Sequence, residues 1–443
     1  MTHRTYMSAV SGIIAVGVAL RLAVLAQAAG KPLTSDALNY AMQGRAMYEG
    51  TYADAYWPPM PGFLVSGLMH LLGETSLAER LAGLIPACLA LPLTAAAVRD
   101  TFGPRASLIS TLILALMPGQ WLYAAEPRTE SLVPLWVAAA AWTMRRWVRT
   151  SRPSLMLMCG MVIGLAGLTR APLLFLGPAS VAAIGIRHRG RPRRAVLPAS
   201  LAAAGALLIL LPWSYRNWRV TGAWVLVNTN GARNLYHANR PGSDRYLSYR
   251  AIYDKDGRYA TAESVRLESI ADPNEKIRQM EAAFWRYLRE HPLDYCVRCL
   301  NRLRVILSWD LMPLARLRTP ELLPLPTAVR LSFGAAHAML ILLLSWTAAA
   351  FCLRAPRAVG ATTAMAIGLL ALPYVLVTAT PNYALAMHAV YVLVSGRVLA
   401  RPVATWRFLR RSRPRFTAWL VAGLLVTAFS AEWTVALLRA GPQ

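Results

Sequence analysis

Charge is scarce in this chain of 443 residues: only 15% are Asp, Glu, Lys or Arg, where a soluble domain averages about 25%. Acidic residues are the scarcer sign, 21 against 47 Lys plus Arg. Lysine is confined to Lys31, Lys255 and Lys276, so nearly every cation is arginine, a skew that reflects genome composition more than chemistry. Five cysteines in so long a chain do not make a disulfide scaffold. The sequence has no Walker loop, no Gly-x-Gly-x-x-Gly, no His-Glu-x-x-His and no Gly-x-Ser-x-Gly. Nucleotide-driven transport and the common soluble hydrolase chemistries therefore lack support.

What the chain does have is apolar length. Hydrophobic residues make up 56% of it, and they gather into runs such as Ser8–Ala29, Ser200–Trp213 and Trp419–Phe429 with their neighbours. These approach the roughly 20 residues that cross a bilayer core. A soluble enzyme and a disordered protein are excluded, and an all-α polytopic membrane protein is predicted. The formal net charge of +26 would suggest nucleic acid in a soluble protein. Here the basic residues form short clusters between apolar segments, which reads as a topology signal and as contact with anionic headgroups. No nucleic-acid partner is expected, and membrane lipids are.

The clusters are Arg99 with Arg105; Arg145, Arg146, Arg149 and Arg152; Arg187 to Arg194; Arg354 with Arg357; and Arg401 through Arg415. Placing all of them on the cytoplasmic side gives about 11 transmembrane helices, approximately 8–29, 79–98, 105–122, 130–146, 154–169, 171–186, 195–213, 328–352, 358–379, 383–400 and 416–438. The N-terminus is then cytoplasmic. Arg170 and Pro172 interrupt two short spans, which suggests a paired half-crossing. The first segment reads as a span and not a cleaved signal. The chain divides into an N-terminal transmembrane module, 1–213, an external region of loop and interfacial helices, 214–326, and C-terminal transmembrane helices, 327–443. The first external loop, 30–78, holds Asp36–Glu49 and Pro61–Gly73, the second too short to span, so both are predicted as juxtamembrane helices. In the second external region, Pro273 to Leu307 reads as one strongly helical stretch with an apolar face.

Charges beside apolar spans are the informative ones, because burying them is costly. Asp36 opens a predicted helix at the outer bilayer edge, where an N-cap role and a catalytic role are both open to it. Tyr56-Trp57-Pro58-Pro59-Met60-Pro61-Gly62 is a rigid aromatic bend. Glu126, Arg128 and Glu130 share one outer turn. Arg170, and Arg216 with Asn217, lie where guanidinium groups could hold a phosphate at the surface or simply bind headgroups. Arg21, in the first span, snorkels or faces a polar cavity. Cys296 and Cys299 have no second ligand pair for zinc and read as helical packing residues or an oxidised pair.

Taken in order, these stretches resemble a known family. Ser35-Asp36-Ala37 with Tyr40, Gly50 and the Tyr56–Gly62 bend, then Glu126 to Leu132, Gly167-Leu168-Thr169-Arg170-Ala171-Pro172, Leu211-Pro212-Trp213-Ser214-Tyr215-Arg216-Asn217 and Ala282 to Trp309 are together similar to the GT-C membrane glycosyltransferases. The likeness is to the branch of protein O-mannosyltransferases and the aminoarabinose transferase of lipid A (glycosyltransferase family 39-like). It implies a GT-C fold with external juxtamembrane helices and a small external region. It also implies an inverting hexosyl or pentosyl transfer, with Asp36 as general base, from a polyprenyl-phosphate sugar to a lipid, glycan or protein acceptor. The setting would be the non-cytoplasmic face of a bacterial inner membrane. Arg170 and Arg216 are the candidate donor-phosphate contacts. Tyr40, Tyr56, Glu126, Arg128, Glu130, Asn217 and His388 are further site candidates. No cofactor is assigned; some relatives bind a divalent metal near the loop aspartate, and Asp36 with Glu130 would be its ligands here. The chain departs from its relatives at Trp57, Ala37 and Asn382-Tyr383. A lipid-linked-sugar flippase or other transporter and a ligase or polymerase using diphosphate donors are the competing readings.

Overall fold

Proline starts much of this structure, since its ring presets the helical backbone angle where no N–H partner is needed. Pro104, Pro118, Pro153, Pro273, Pro292 and Pro402 each stand in the first turn of a helix. The computed structural model describes residues 1–252, 254, 256–309 and 326–439. Among them the chain is helical and contains no strand. The end of the predicted external region, 310–325, lies outside the described residues.

In chain order the helices are α1 His3–Ala28, α2 Asp36–Tyr48, α3 Met60–Leu72, α4 Ser76–Phe102, α5 Pro104–Leu116, α6 Pro118–Ala124, α7 Thr129–Thr150, α8 Pro153–Thr169, α9 Leu176–Arg187 and α10 Arg193–Thr221. Then come α11 Asn230–Asn239, α12 Ala262–Glu268, α13 Pro273–Glu290, α14 Pro292–Leu307, α15 Thr327–Arg354, α16 Arg357–Leu376, α17 Leu385–Leu399, α18 Pro402–Arg410 and α19 Arg413–Arg439. The predicted spans overlie these helices, those at 171–186 and 383–400 beginning on the 3-10 turns Ala171–Phe175 and Pro381–Ala384. Among the described residues six helices are long and apolar enough to cross a membrane, or up to eight spans if each of two bent pairs is one span, fewer than the eleven predicted. The bent pairs are α5 with α6, at 59°, and the Asn382–Leu399 segment with α18, at 90°.

The shorter helices of the N-terminal half are held by close packing. α8 lies along α10, and a Cβ on Gly160 would come within 1.9 Å of the Ala202 carbonyl oxygen. Only glycine lets the two backbones approach so far, as is common between membrane helices. α7 runs between α4 and α8 and buries Leu132, Val133, Val137 and Ala140.

Two expectations are corrected. The stretch 273–307 is two helices, because Pro292 ends α13 at Glu290 and starts α14. Arg21 does not snorkel: it is fully buried and donates to the Gly17 and Leu114 carbonyls at 2.8 and 3.1 Å.

Beyond α10, helices α11 to α13 share a small core of Tyr236, Leu267, Met280 and Ala283. α14 ties this lobe to the bundle through buried Arg302, which donates to the Ala238 carbonyl at 3.0 Å, to Asn239 at 2.6 Å and to the Leu376 carbonyl at 3.1 Å. Within the lobe, Glu268 lies 2.7 Å from His237 Nε2 and 2.8 Å from Arg233 Nε. The His237 hydrogen bond, aided by the Arg233 charge and opposed by burial, holds the Glu268 carboxyl down to about 2 from an ordinary 4.5. A depressed carboxyl contributes stability above its unfolded value and loses it as pH falls toward the folded one. The unfolding temperature of the detergent-solubilised protein is therefore expected to drop between about pH 4.5 and 2. That drop should be smaller in Glu268→Gln, and identical acid profiles for the two proteins would contradict the assignment.

Candidate active site

The site forms where the α1–α2 loop, the α6–α7 turn, the end of α8 and the start of α17 meet. Ser35 precedes α2 with φ 56°, a left-handed conformation that favours glycine and costs a serine about 1–3 kcal/mol. That strained residue is the N-cap and makes no side-chain capping bond; Asp36 is the first helical residue, not the cap. Such strain persists only where surrounding contacts enforce it.

Arg128 supplies those contacts. Its Nε donates to Glu126 Oε2 at 2.6 Å, Nη2 reaches the Thr34 carbonyl at 3.4 Å, and Nη1 lies 3.9 Å from Asp36 Oδ2. Burial opposes the Arg128 charge, but Glu126, Glu130 and Asp36 together outweigh it and push the guanidinium above its ordinary range. α4 presses on the same turn, since a Cβ on Gly83 would come within 1.9 Å of the Glu126 carbonyl oxygen.

α8 stops at Thr169, and the chain restarts as a 3-10 turn, Ala171–Phe175, with Pro172 in its first turn. Arg170 is left extended, with φ −159°. Its Nη2 donates to Glu130 Oε1 at 2.9 Å, and its guanidinium lies 4.8 Å from the Tyr383 ring centre. Glu130 also accepts from Asn382 at 2.7 Å and from Thr129 at 3.1 Å. Tyr40, one turn into α2, is buried with its ring 5.4 Å from Trp57. It feels the charges of Asp36, Glu130 and Arg170, and its hydroxyl is pushed well above the ordinary value, mainly by burial.

The structure thus joins Asp36, Tyr40, Glu126, Arg128, Glu130 and Arg170 in one cluster. Three carboxylates face Arg128 and Arg170, and the buried Arg80, which donates to the Ala125 and Lys31 carbonyls, also acts on Glu126. Accessibility separates the acids: the Asp36 side chain is 25% exposed, Glu126 3% and Glu130 1%. Arg216 belongs to a second cluster. It donates to the Tyr52 and Asp54 carbonyls, both at 2.5 Å, and lies over the Tyr52 and Trp213 rings. Asn217 accepts from Arg216 at 3.2 Å and donates to the Val225 carbonyl at 3.0 Å, so it folds the chain beyond α10. Tyr56 packs its ring 5.1 Å from Trp57 and lies among the groups acting on Arg233. His388 is buried in α17 with its ring 5.7 Å from Tyr391.

Sequence reasoning missed the part played by Thr380, Asn382, Tyr383 and Tyr374. Thr380 bonds Asn382, and the Tyr374 ring lies 4.8 Å from Tyr383. The available signal was Pro381-Asn382-Tyr383, a polar break ahead of an apolar helix. A metal does not fit well: Glu130 is fully engaged by Arg170, Asn382 and Thr129, and no group of three His, Cys, Asp or Glu able to hold an ion occurs among the described residues. Cys296 and Cys299 are free thiols.

Residues 57–216 match the family model described as dolichyl-phosphate-mannose-protein mannosyltransferase. Among solved structures, the oligosaccharyltransferase of Archaeoglobus fulgidus in the apo form superposes with a TM-score of 0.53 at 15% identity, over 97% of this chain and 56% of that one. The chain has the GT-C fold. The GT-C resemblance read from the sequence is borne out. The same archaeal protein in complex with an inhibitory peptide and a dolichol-phosphate gives a TM-score of 0.50 at 15% identity, covering 96% of this chain and 56% of that one. ArnT from Cupriavidus metallidurans bound to undecaprenyl phosphate gives 0.45 at 17%, covering 89% and 78%. The chain therefore spans little more than half the length of the archaeal protein. No curated protein matches the sequence. The segment matched by the family model contains Glu126, Arg128, Glu130, Arg170 and Arg216, whereas Asp36 precedes it.

Removing Glu130 would strand a largely buried guanidinium. Glu130→Ala is expected to destabilise the GT-C bundle by about 3–5 kcal/mol, read as a lowered unfolding temperature. The double variant Glu130→Ala/Arg170→Ala should recover part of the loss; a fully additive pair would show that the ion pair does not couple the two helices.

Proposed function

We propose that this chain is a membrane glycosyltransferase that moves a sugar from a polyprenyl-phosphate donor to an acceptor hydroxyl, with inversion, on the non-cytoplasmic face of a bacterial inner membrane. The observation that carries this reading is the accessibility of Asp36 within a cluster whose other carboxylates are sealed. An acid–base group must reach the proton it moves. Asp36 takes the acceptor proton, the acceptor oxygen bonds to the anomeric carbon, and the bond from that carbon to the phosphate oxygen breaks on the opposite side. The phosphate leaves with the electron pair. A phosphate is already a weak base, so cations that hold its growing charge suffice and no strong acid is needed.

Arg170 and Arg216 are the proposed cations. Arg170 is preorganised by Glu130 and Tyr383. Arg216 donates to neutral oxygens and makes no salt bridge among the described residues; Asp54 is the carboxylate that acts on it. Glu126 and Arg128 act through Asp36 as positioning residues. The dolichol-phosphate complex of the archaeal oligosaccharyltransferase supports a polyprenyl phosphate as ligand of this fold. The orientation rests on the arginine clusters, and the division at 213 and 326 into two transmembrane parts around an outer region belongs to the same proposal.

Detergent-purified protein, with no membrane separating compartments, is expected to convert a polyprenyl-phosphate sugar to free polyprenyl phosphate in the presence of acceptor. A flippase would not. Donors with a diphosphate test the ligase reading in the same assay. Asp36→Asn should lower turnover by about 10²–10⁴-fold at unchanged folding, and activity retained in that variant would remove Asp36 from the reaction.

A further inference from the structure

The lobe formed by α11 to α13 contains a cavity of about 40 Å³, apart from the Asp36 cluster. Tyr236, Phe284 and Tyr287, all buried, form its apolar walls, and Arg240 lines it. Arg240 is 3% exposed, yet its Nε and Nη1 have no hydrogen-bond partner. Buried guanidinium nitrogens left unbonded are costly. Asp254 and Glu268 act on Arg240 through space, but neither bonds these two nitrogens. Glu263 is drawn off by Arg286 and by the Tyr236 hydroxyl at 3.4 Å, and Glu290 stands exposed among the lining residues.

We propose that this cavity is an oxyanion site, with Arg240 binding one carboxylate or phosphate group between the aromatic walls. Guanidinium pairs with either group by charge-assisted hydrogen bonds, and aromatic walls suit the C–H face of a sugar or another flat organic body attached to the anion. In a transferase the group that docks here is an acidic substituent of the acceptor. That last step rests on the proposed function; oxyanion binding itself does not.

The test titrates the full-length protein in detergent with inorganic phosphate, glucuronate and glucose, by calorimetry and without donor. Phosphate or glucuronate should bind while glucose does not, and glucuronate binding more tightly than phosphate would assign the site to an acidic sugar. Comparable binding of the two would assign it to the bare oxyanion. Arg240→Gln should weaken binding by about tenfold or more. Glu290→Gln, an exposed change that tests the same site should the first variant fail to fold, should tighten it about two- to fivefold by removing a like charge. No oxyanion binding by the wild-type chain, equal binding of glucose and glucuronate, unchanged affinity in Arg240→Gln, or no gain in Glu290→Gln overturns the proposal. Because no donor is present, such a failure leaves the transfer reaction untouched.

Discussion

Three carboxylates and two guanidinium groups packed at the end of an apolar bundle must satisfy one another, and the geometry of the site follows from that need. An ion buried alone is strongly unfavourable. Arg128 between Glu126 and Asp36, and Glu130 between Arg170 and Asn382, meet the requirement with hydrogen bonds as well as charge. These pairings join α2, α7, the end of α8 and the start of α17, four pieces far apart in the chain. Of the three, Asp36 is the carboxylate left accessible, so under the proposed function the network that makes burial tolerable also selects the acid that acts.

The chain between α1 and α3 is held from two directions. Arg128 grips its first part through Thr34 and Asp36. Arg216, from the end of α10, grips its second part through the Tyr52 and Asp54 carbonyls. Gln43 donates to the Tyr52 hydroxyl at 2.8 Å and so links the two parts. The strained backbone at Ser35 is the local sign of that constraint. The proposed base, at the start of α2, needs such anchoring, because small misplacements of reacting groups cost large factors in rate.

Much of the fold was legible in the sequence. Long apolar runs have few alternatives to helices, and arginine clusters separate them, so the predicted spans fall on observed helices. Met60–Leu72 was recognisable as too short to cross. The break at Pro292 was visible in the sequence yet outweighed by the helical periodicity on both sides. Within the site, Asp36, Glu126, Arg128, Glu130 and Arg170 were findable because charge beside apolar segments is costly and therefore conspicuous. Asn382 and Tyr383 stood out only as a departure from the resembled family and Thr380 not at all, since neutral polar residues at a helix start are ordinary until packing brings them onto Glu130 and Arg170. Arg216 illustrates the opposite problem: its position was read correctly beside Asn217, but only coordinates reveal that its nitrogens reach the Tyr52 and Asp54 carbonyls.

The central claim is that the accessible Asp36 and the ion-paired Arg170 face one reaction space. A structure of the protein with a bound polyprenyl-phosphate sugar tests it most directly. The account predicts phosphate oxygens within about 3 Å of the Arg170 guanidinium, with the anomeric carbon on the side open to Asp36. A phosphate seated away from both groups, or a sugar from which Asp36 is screened by Arg128 and Glu126, would contradict it.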